Sequence, residues 1–182
     1  MGIIDFLFIG IGLSMDAAAV SMTNGMVYSK ISRFKFFMTA LAFGFFQALM
    51  PALGFFTGSL FATVMEKYSG YVILVILAII GGKMIKDGFS GCDTEDCPKK
   101  QFTYKLLILQ AIATSIDAFA VGVGFAATHA NIVLALPIIG ITTFILSLFA
   151  LALGRKFGDK LGSKAEILGG IILIIIGIKA LF

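Results

Sequence analysis

The chain has 182 residues, of which 59% are hydrophobic and 13% are charged, and its mean hydropathy is +1.06. Soluble domains carry about a quarter charged residues, so this composition excludes a soluble globular protein and indicates a membrane protein. The net charge of +4 is small. Its basic residues flank apolar runs, as topology in a lipid bilayer requires, so no nucleic-acid partner is expected.

Apolar runs along the chain predict six membrane-spanning helices joined by short connections. A span needs about 20 apolar residues, so the length accommodates six spans and leaves no room for a sizeable soluble domain. The first run contains Asp5 and Asp16 and has no basic leader, which indicates a retained span and not a cleaved signal peptide. The predicted helices cover residues 3–27, 36–58, 68–88, 103–127, 131–153 and 165–182.

An aspartate interrupts the first apolar run. Asp16 lies near mid-depth, where a charge costs about 2.5 kcal/mol or more, so the default interpretation is a functional residue with a partner. The surrounding residues 12–20 recur around Asp117 at a constant offset, and Ser14 matches Ser115. Small residues at four-residue spacing flank both motifs and allow helix backbones to approach closely. We therefore expect the two aspartates to meet at one shared site.

A charged linker at about residues 89–102 divides the single polytopic membrane domain, 1–182, into two halves. Repeat 1 covers about 1–88 and repeat 2 about 103–182, and each contains three predicted spans. Because three is an odd number, the second half enters the membrane with the opposite orientation. The predicted fold is an all-α membrane protein built from two inverted three-helix repeats, an architecture that many secondary transporters share.

The distribution of basic residues predicts the orientation. They concentrate in the 1–2, 3–4 and 5–6 connections, which the positive-inside rule places in the cytoplasm, with both termini outside. Lys83 and Lys179, near the ends of helices 3 and 6, have two interpretations: snorkelling to the interface, or pairing with an aspartate. The residues in the three connections are Lys30, Arg33, Lys35, Lys86, Lys99, Lys100, Lys105, Arg155, Lys156, Lys160 and Lys164.

The predicted spans offer oxygen ligands and neither Cys nor His. Cys92 and Cys97 fall in the linker, as part of a solvated acidic loop or a transient metal-capture site, and His129 falls in the 4–5 connection. Oxygen ligands favour a hard divalent ion such as Mn²⁺ or Mg²⁺, or protons or Na⁺, over copper or zinc. The candidate ligands are Asp16, Asp117, Ser14, Ser115, Thr23, Asn24, Gln47 and Gln110.

Helical spacing also suggests a route to the site. Thr23 and Gln110 each lie seven residues from the aspartate of their helix, on its cytoplasmic side in the predicted topology. The matching outward positions, Ile9 and Gly124, have no polar side chain. One interpretation is a polar path from the cytoplasm with an apolar seal outside. The other is that Thr23 bonds its own helix and Gln110 lies at the interface.

The motifs resemble those of a known family. They read Gly-Leu-Ser-Met-Asp-Ala-x-Ala-Val-Ser at 12–21, Ala-Thr-Ser-Ile-Asp-Ala-x-Ala-Val-Gly at 113–122 and Gly-Gly-Lys-Met-Ile at 81–85. Together with the length and the paired halves, they resemble the manganese efflux pump (MntP) family of bacterial inner-membrane proteins. The resemblance implies export of Mn²⁺ from the cytoplasm, with the family's motif aspartates at Asp16 and Asp117.

The leading hypothesis is therefore a secondary transporter that exports Mn²⁺ in exchange for protons through a site formed by Asp16 and Asp117. The chain lacks a phosphate-binding Gly-rich loop followed by Lys-Ser or Lys-Thr, so direct use of ATP is not expected. Neither enzymatic activity nor a resident cofactor is expected. The alternatives are transport of another cation or an organic amine, and a non-transporting membrane scaffold whose aspartates fasten helices.

Overall fold

The computed structural model describes residues 2–28, 32–89, 103–161 and 164–179. These residues are helical apart from short connections and helix ends, which confirms the predicted all-α class. Four stretches are long and apolar enough to cross a membrane: Ile3–Val27, Arg33–Thr57, Tyr104–Ala127 and Ile132–Phe157. The helices are α1 (Ile3–Val27), α2 (Arg33–Phe89), α3 (Tyr104–Ala127), α4 (Ile132–Leu161) and α5 (Lys164–Lys179).

The surface of the bundle is apolar, whereas much of its polar chemistry is inside. Large hydrophobic side chains point outward, among them Phe8 at 69% exposure and Val133 at 75%. A continuous apolar surface of this kind is stable against lipid and not against water, so the protein is embedded in a membrane. The buried polar side chains are Ser14, Ser21, Thr23, Asn24, Thr39, Gln47, Gln110, Thr114, Ser115, Thr143 and Ser147.

Most predicted helix boundaries agree with the structure. Helix α1 has the predicted bounds, and α3 begins one residue after its predicted start. Helix α4 continues to Leu161, beyond the predicted end at residue 153, because Gly154 packs against α1 and does not end the helix. The last predicted helix, 165–182, is observed as α5; residues 180–182 lie outside the described part of the chain.

The main difference from the predicted helices concerns α2. The sequence predicts separate helices over 36–58 and 68–88, whereas the structure has one helical segment from Arg33 to Phe89. The sequence between the two predicted helices has no proline and is rich in helix formers, among them Leu, Ala, Met, Glu and Lys. The stretch is therefore helical, although the two ends of α2 run in opposite directions, as two separate predicted helices require.

The contacts between helices give their relative directions. Helices α1 and α4 are parallel, α5 is antiparallel to α1, and the two ends of α2 run antiparallel to α4 and to α5, respectively. Because α4 and α5 are themselves antiparallel, α2 reverses direction between Thr57 and Tyr71. The pairs are Gly10 with Ile139 and Gly25 with Leu151 (α1, α4), Thr23 with Gly169 and, in one buried cluster, Val20 with Leu173 (α1, α5), Phe37 with Phe144 and Ala48 with Gly140 (α2, α4), and Gly81 with Gly170 and Leu74 with Gly177 (α2, α5).

These directions gather basic residues at one end of the bundle. The end of α1, both ends of α2, the start of α3, the end of α4 and the start of α5 meet there. We call it the basic end. Its described basic residues are Arg33, Lys35, Lys83, Lys86, Lys105, Arg155, Lys156 and Lys164.

Candidate functional site

Asp16 and Asp117 approach each other in the middle of the bundle. Helices α1 and α3 are antiparallel, and each aspartate is the fourteenth residue of its helix, counted from Ile3 and from Tyr104. Both carboxylates are half-buried. The Oδ1 atom of Asp117 accepts a hydrogen bond of 2.8 Å from the backbone N–H of Ala118. Contacts of Asn24 with Gln110 and of Phe6 with Phe125 fix the register of α1 against α3, so the two acidic groups lie at the same level, halfway along their helices.

Gln47 of α2 connects the two aspartate motifs. Its Nε2 donates to the carbonyl of Leu13 at 2.9 Å, and its Oε1 accepts from the Ser115 hydroxyl at 2.8 Å. Leu13 is three residues before Asp16, and Ser115 is two residues before Asp117. The Gln47 side chain is fully buried, so leaving one of its polar groups unpaired costs about 1–3 kcal/mol. This amide fixes α1 relative to α3 beside the carboxylates.

A second contact repeats this arrangement in the other half of the chain. The Ser14 and Thr143 hydroxyls form a hydrogen bond of 2.8 Å between α1 and α4. Thr143 follows Gly140 by three residues, as Gln47 follows Gly44. Each motif serine is therefore anchored to the corresponding position of the neighbouring helix.

An amide pair joins α1 to α3 on the side of the basic end. The Asn24 Nδ2 donates to Gln110 Oε1 at 2.8 Å, and the Gln110 Nε2 donates back to Asn24 Oδ1 at 3.2 Å. Both side chains are buried, at 1% and 0% exposure. Asn24 lies eight residues beyond Asp16, about 12 Å along the axis. We call this pair the amide contact; it closes the seam between the two helices.

The polar path predicted through Thr23 and Gln110 is closed in this structure. Gln110 is paired with Asn24, and Thr23 is fully buried beside Gly169 of α5. The Thr23 hydroxyl has no hydrogen-bond partner among the described residues. Gln110 therefore does not line an open path in this structure, and its place at the membrane interface stays a prediction.

An aromatic pair closes the same seam on the other side of the carboxylates. The Phe6 and Phe125 rings are 5.7 Å apart between centroids and meet edge to face at 84°. Their side chains are 0% and 2% exposed. We call this pair the aromatic contact. The outward positions named from the sequence contribute less, since Ile9 is half-buried and Gly124 is exposed.

Sequence reasoning missed the aromatic contact, although a signal for it exists. Phe125 follows Asp117 by eight residues, as Asn24 follows Asp16. Extending the comparison of the two motifs by two helical turns therefore aligns Asn24 of α1 with Phe125 of α3. The two sides of the site differ at one matched position.

The other predicted ligands have mostly structural contacts. Ser14, Ser115, Asn24, Gln47 and Gln110 form hydrogen bonds between helices. Within the described ranges no three His, Cys, Asp or Glu side chains lie together. His129 is exposed in the turn after α3 and adopts a φ of 52°. Cys92 and Cys97 lie outside the described residues.

Residues 30–181 match the family model described as "Putative manganese efflux pump". The chain belongs to this family. A manganese efflux pump family protein of Ruminiclostridium cellulolyticum is 41% identical over 98% of this chain and 95% of its own length. The relative from Acetivibrio thermocellus is 43% identical over 100% and 91%, and that from Bifidobacterium adolescentis 42% over 99% and 96%. All three are named "Putative manganese efflux pump MntP", and no solved structure matches the chain.

The family membership predicted from the two motifs is thereby confirmed. The match extends over both halves of the chain. The three relatives align over 98–100% of this chain, so the matched region includes α1 and α3, the helices that carry Asp16 and Asp117 here.

Proposed function

We propose that the protein exports Mn²⁺ from the cytoplasm and that Asp16 and Asp117 bind the ion. The observation that carries the proposal is the approach of two carboxylates, from antiparallel helices, in the middle of a membrane-embedded bundle. Ionisable groups at this depth mark ion pathways. The names of the relatives support a divalent metal as the substrate.

The chemistry of the two side chains suits a divalent ion. Together they supply two negative charges, which balance the charge of Mn²⁺, and carboxylate oxygen is a preferred ligand of this metal. We assign metal binding to Asp16 and Asp117. The five predicted ligands that bond between helices hold the carboxylates in place, as outer partners do in metal sites. They are Ser14, Ser115, Asn24, Gln47 and Gln110. Thr23 lies seven residues after Asp16 on α1, and its hydroxyl has no hydrogen-bond partner among the described residues.

The proposal includes an inverted repeat with six membrane passes. Three observations support it: α1 and α3 are antiparallel, α2 reverses direction, and contacts recur at matched positions. A shift of 96 in residue number takes Leu74 to Gly170 and Gly81 to Gly177. The contact of Gly81 with Gly170 therefore corresponds to the contact of Gly177 with Leu74. Such repeats place the substrate site where they meet, near mid-depth.

The proposed orientation has the basic end in the cytoplasm and both termini outside the bacterial inner membrane. The positive-inside rule supports it, because the described basic residues gather at that end. Cys92 and Cys97 are the only cysteines of the chain and serve as natural labels. An impermeant thiol reagent added to intact cells should leave both unlabelled, and labelling would reverse the orientation.

Export is proposed to be driven by exchange with protons, which the same carboxylates accept when the metal leaves. Efflux from loaded vesicles should then accelerate when a proton gradient directed against the metal flow is imposed. A rate that does not respond to the gradient would remove proton exchange from the proposal while leaving Mn²⁺ as the substrate.

The function is tested by following Mn²⁺ efflux from manganese-loaded cells that lack the protein and receive one variant each. Wild type and Asp5→Asn should export the ion, because Asp5 is exposed and caps the first turn of α1 through the Gly2 N–H. Asp16→Asn and Asp117→Asn should not, at equal amounts of membrane protein. Export at the wild-type rate by both variants would overturn the proposal, as would export of another cation with Mn²⁺ retained.

A further inference from the structure

Lys179 lies at the end of α5 that points away from the basic end. Helix α5 packs antiparallel to α1: Gly169 touches Thr23, and Leu173 joins the same buried cluster as Val20. One turn farther along, this register brings the end of α5 to the depth of Asp16. Helix packing therefore places Lys179 near the level of the carboxylates, within reach of a long side chain.

Lys179 lies six residues beyond Leu173 on α5, and Asp16 lies four residues before Val20 on α1, so the antiparallel packing brings the two to about the same level. The Lys179 side chain is exposed, and none of the recorded hydrogen bonds holds it in one place. A flexible four-carbon stem with a compact charge can approach the carboxylates or withdraw from them.

Lys83 occupies the matching position of the first repeat, 96 residues earlier, and provides a contrast. It lies two residues after Gly81, as Lys179 lies two residues after Gly177, and it is likewise exposed. Met84, the next residue, packs against Gly169 beside Thr23, which places Lys83 toward the basic end and away from the level of the carboxylates. The two lysines are equivalent in sequence position but differ in their relation to the site.

We propose that Lys179 is a tethered counter-ion of the carboxylate pair, which approaches Asp16 and Asp117 in the empty carrier and withdraws when a divalent metal ion binds. The inference rests on the proposed function of the same site. Without a metal, one proton and the Lys179 ammonium together compensate the two carboxylate charges at mid-depth. With Mn²⁺ bound, the ammonium becomes a like charge and is repelled.

This arrangement sets the affinity of the site. A cation that competes for the carboxylates weakens metal binding, which favours release on the outer side. It also lowers the cost of returning the empty site through the membrane, since an unpaired charge in a low dielectric is expensive. Removing the ammonium should therefore tighten Mn²⁺ binding and slow the return of the empty carrier.

The test measures Mn²⁺ affinity and net efflux of the full-length protein in lipid nanodiscs and vesicles for three variants. Lys179→Met, which keeps the length of the side chain, should bind Mn²⁺ about tenfold more tightly and export it more slowly. Lys179→Arg keeps the charge and should behave like wild type. Lys83→Met is the matched control and should also be unchanged.

The direction of the change separates the role of the charge from damage to the fold. A misfolded variant binds the metal more weakly, whereas loss of a competing cation tightens binding. Unchanged or weaker binding by Lys179→Met, with normal binding by wild type, would overturn the counter-ion role alone. Wild-type protein that binds no Mn²⁺ would overturn the proposed function, and this inference with it.

Discussion

The seam between α1 and α3 is closed by different chemistry on the two sides of the carboxylates. On the side of the basic end, Asn24 and Gln110 exchange two hydrogen bonds. On the other side, Phe6 and Phe125 pack edge to face. Each contact joins the same two helices, and all four side chains are buried. The seam is thus packed on both sides of the carboxylates.

The two contacts differ in what it costs to open them to water. When the amide contact opens, its hydrogen bonds are replaced by bonds to water, so the net cost of each lost bond is about 0.5–1.5 kcal/mol. Separated aromatic rings find no replacement in water, and wetting apolar surface costs about 25 cal/mol for each Å². The amide contact is thus the side that water and a hydrated ion open more readily. In the proposed orientation that side faces the cytoplasm, where an exporter loads.

The largest effect on stability is expected where α3 packs against α2. Helix α3 contributes to both the amide contact and the aromatic contact. A Cβ atom at Gly122 would overlap the backbone of Pro51. Gly122→Ala should lower the free energy of unfolding by about 3 kcal/mol through overpacking. Gly124→Ala is the control, because nothing lies within 4 Å of its Cβ position and alanine favours helix by about 1 kcal/mol. Equal thermal stability of the two variants in detergent would contradict the packing described for α3.

A smaller effect is expected at the amide contact. Gln110→Leu leaves the Asn24 amide buried without its partner, which costs about 1–3 kcal/mol and should reduce export. The double variant Asn24→Leu with Gln110→Leu should regain stability because no polar group is left unpaired. Export should stay low, since this side of the seam is then apolar like the other. Thermal unfolding and vesicle efflux measure the two effects, and wild-type export by the double variant would show that the amides do not serve opening.

The smallest effect is expected at the aromatic contact. Phe125→Leu keeps most of the apolar volume and loses the edge-to-face term, worth about 0.5–1.5 kcal/mol. The outer side should then leak, seen as faster entry of external Mn²⁺ into cells. Phe8→Leu, on an exposed surface of α1, should leave entry unchanged. An equal leak from both variants would assign it to general damage and not to this contact.

Much of the fold follows from the sequence because a bilayer requires helical hydrogen bonding across each apolar run. That constraint gives α1 its predicted bounds of 3–27 and gives α3 bounds within a residue of those predicted. This requirement predicts nothing about the chain outside the apolar layer. The continuation of α4 to Leu161 and the helical residues between 58 and 68 therefore differ from the prediction.

The candidate site was predictable only in part. The repeated motif indicates Asp16 and Asp117 as candidate ligands without knowledge of the packing, and their role stays a prediction. The partners of the amides could not be found in this way, because Asn24 and Gln110 are 86 residues apart and their pairing depends on the register of α1 against α3. The same holds for Gln47, which bonds two helices at once. Polar residues near a carboxylate were expected to be ligands, whereas burial required most of them to pair with each other.

The most direct test of the central claim is binding of Mn²⁺ to the purified protein, followed by electron paramagnetic resonance of the free ion. The claim is that Asp16 and Asp117 hold the metal between the two contacts. Wild type and Asp5→Asn should bind Mn²⁺ with equal affinity. Asp16→Asn and Asp117→Asn should each lose at least roughly 100-fold, the upper end of the loss known for residues that only support a ligand. Wild-type affinity in both variants would contradict the claim.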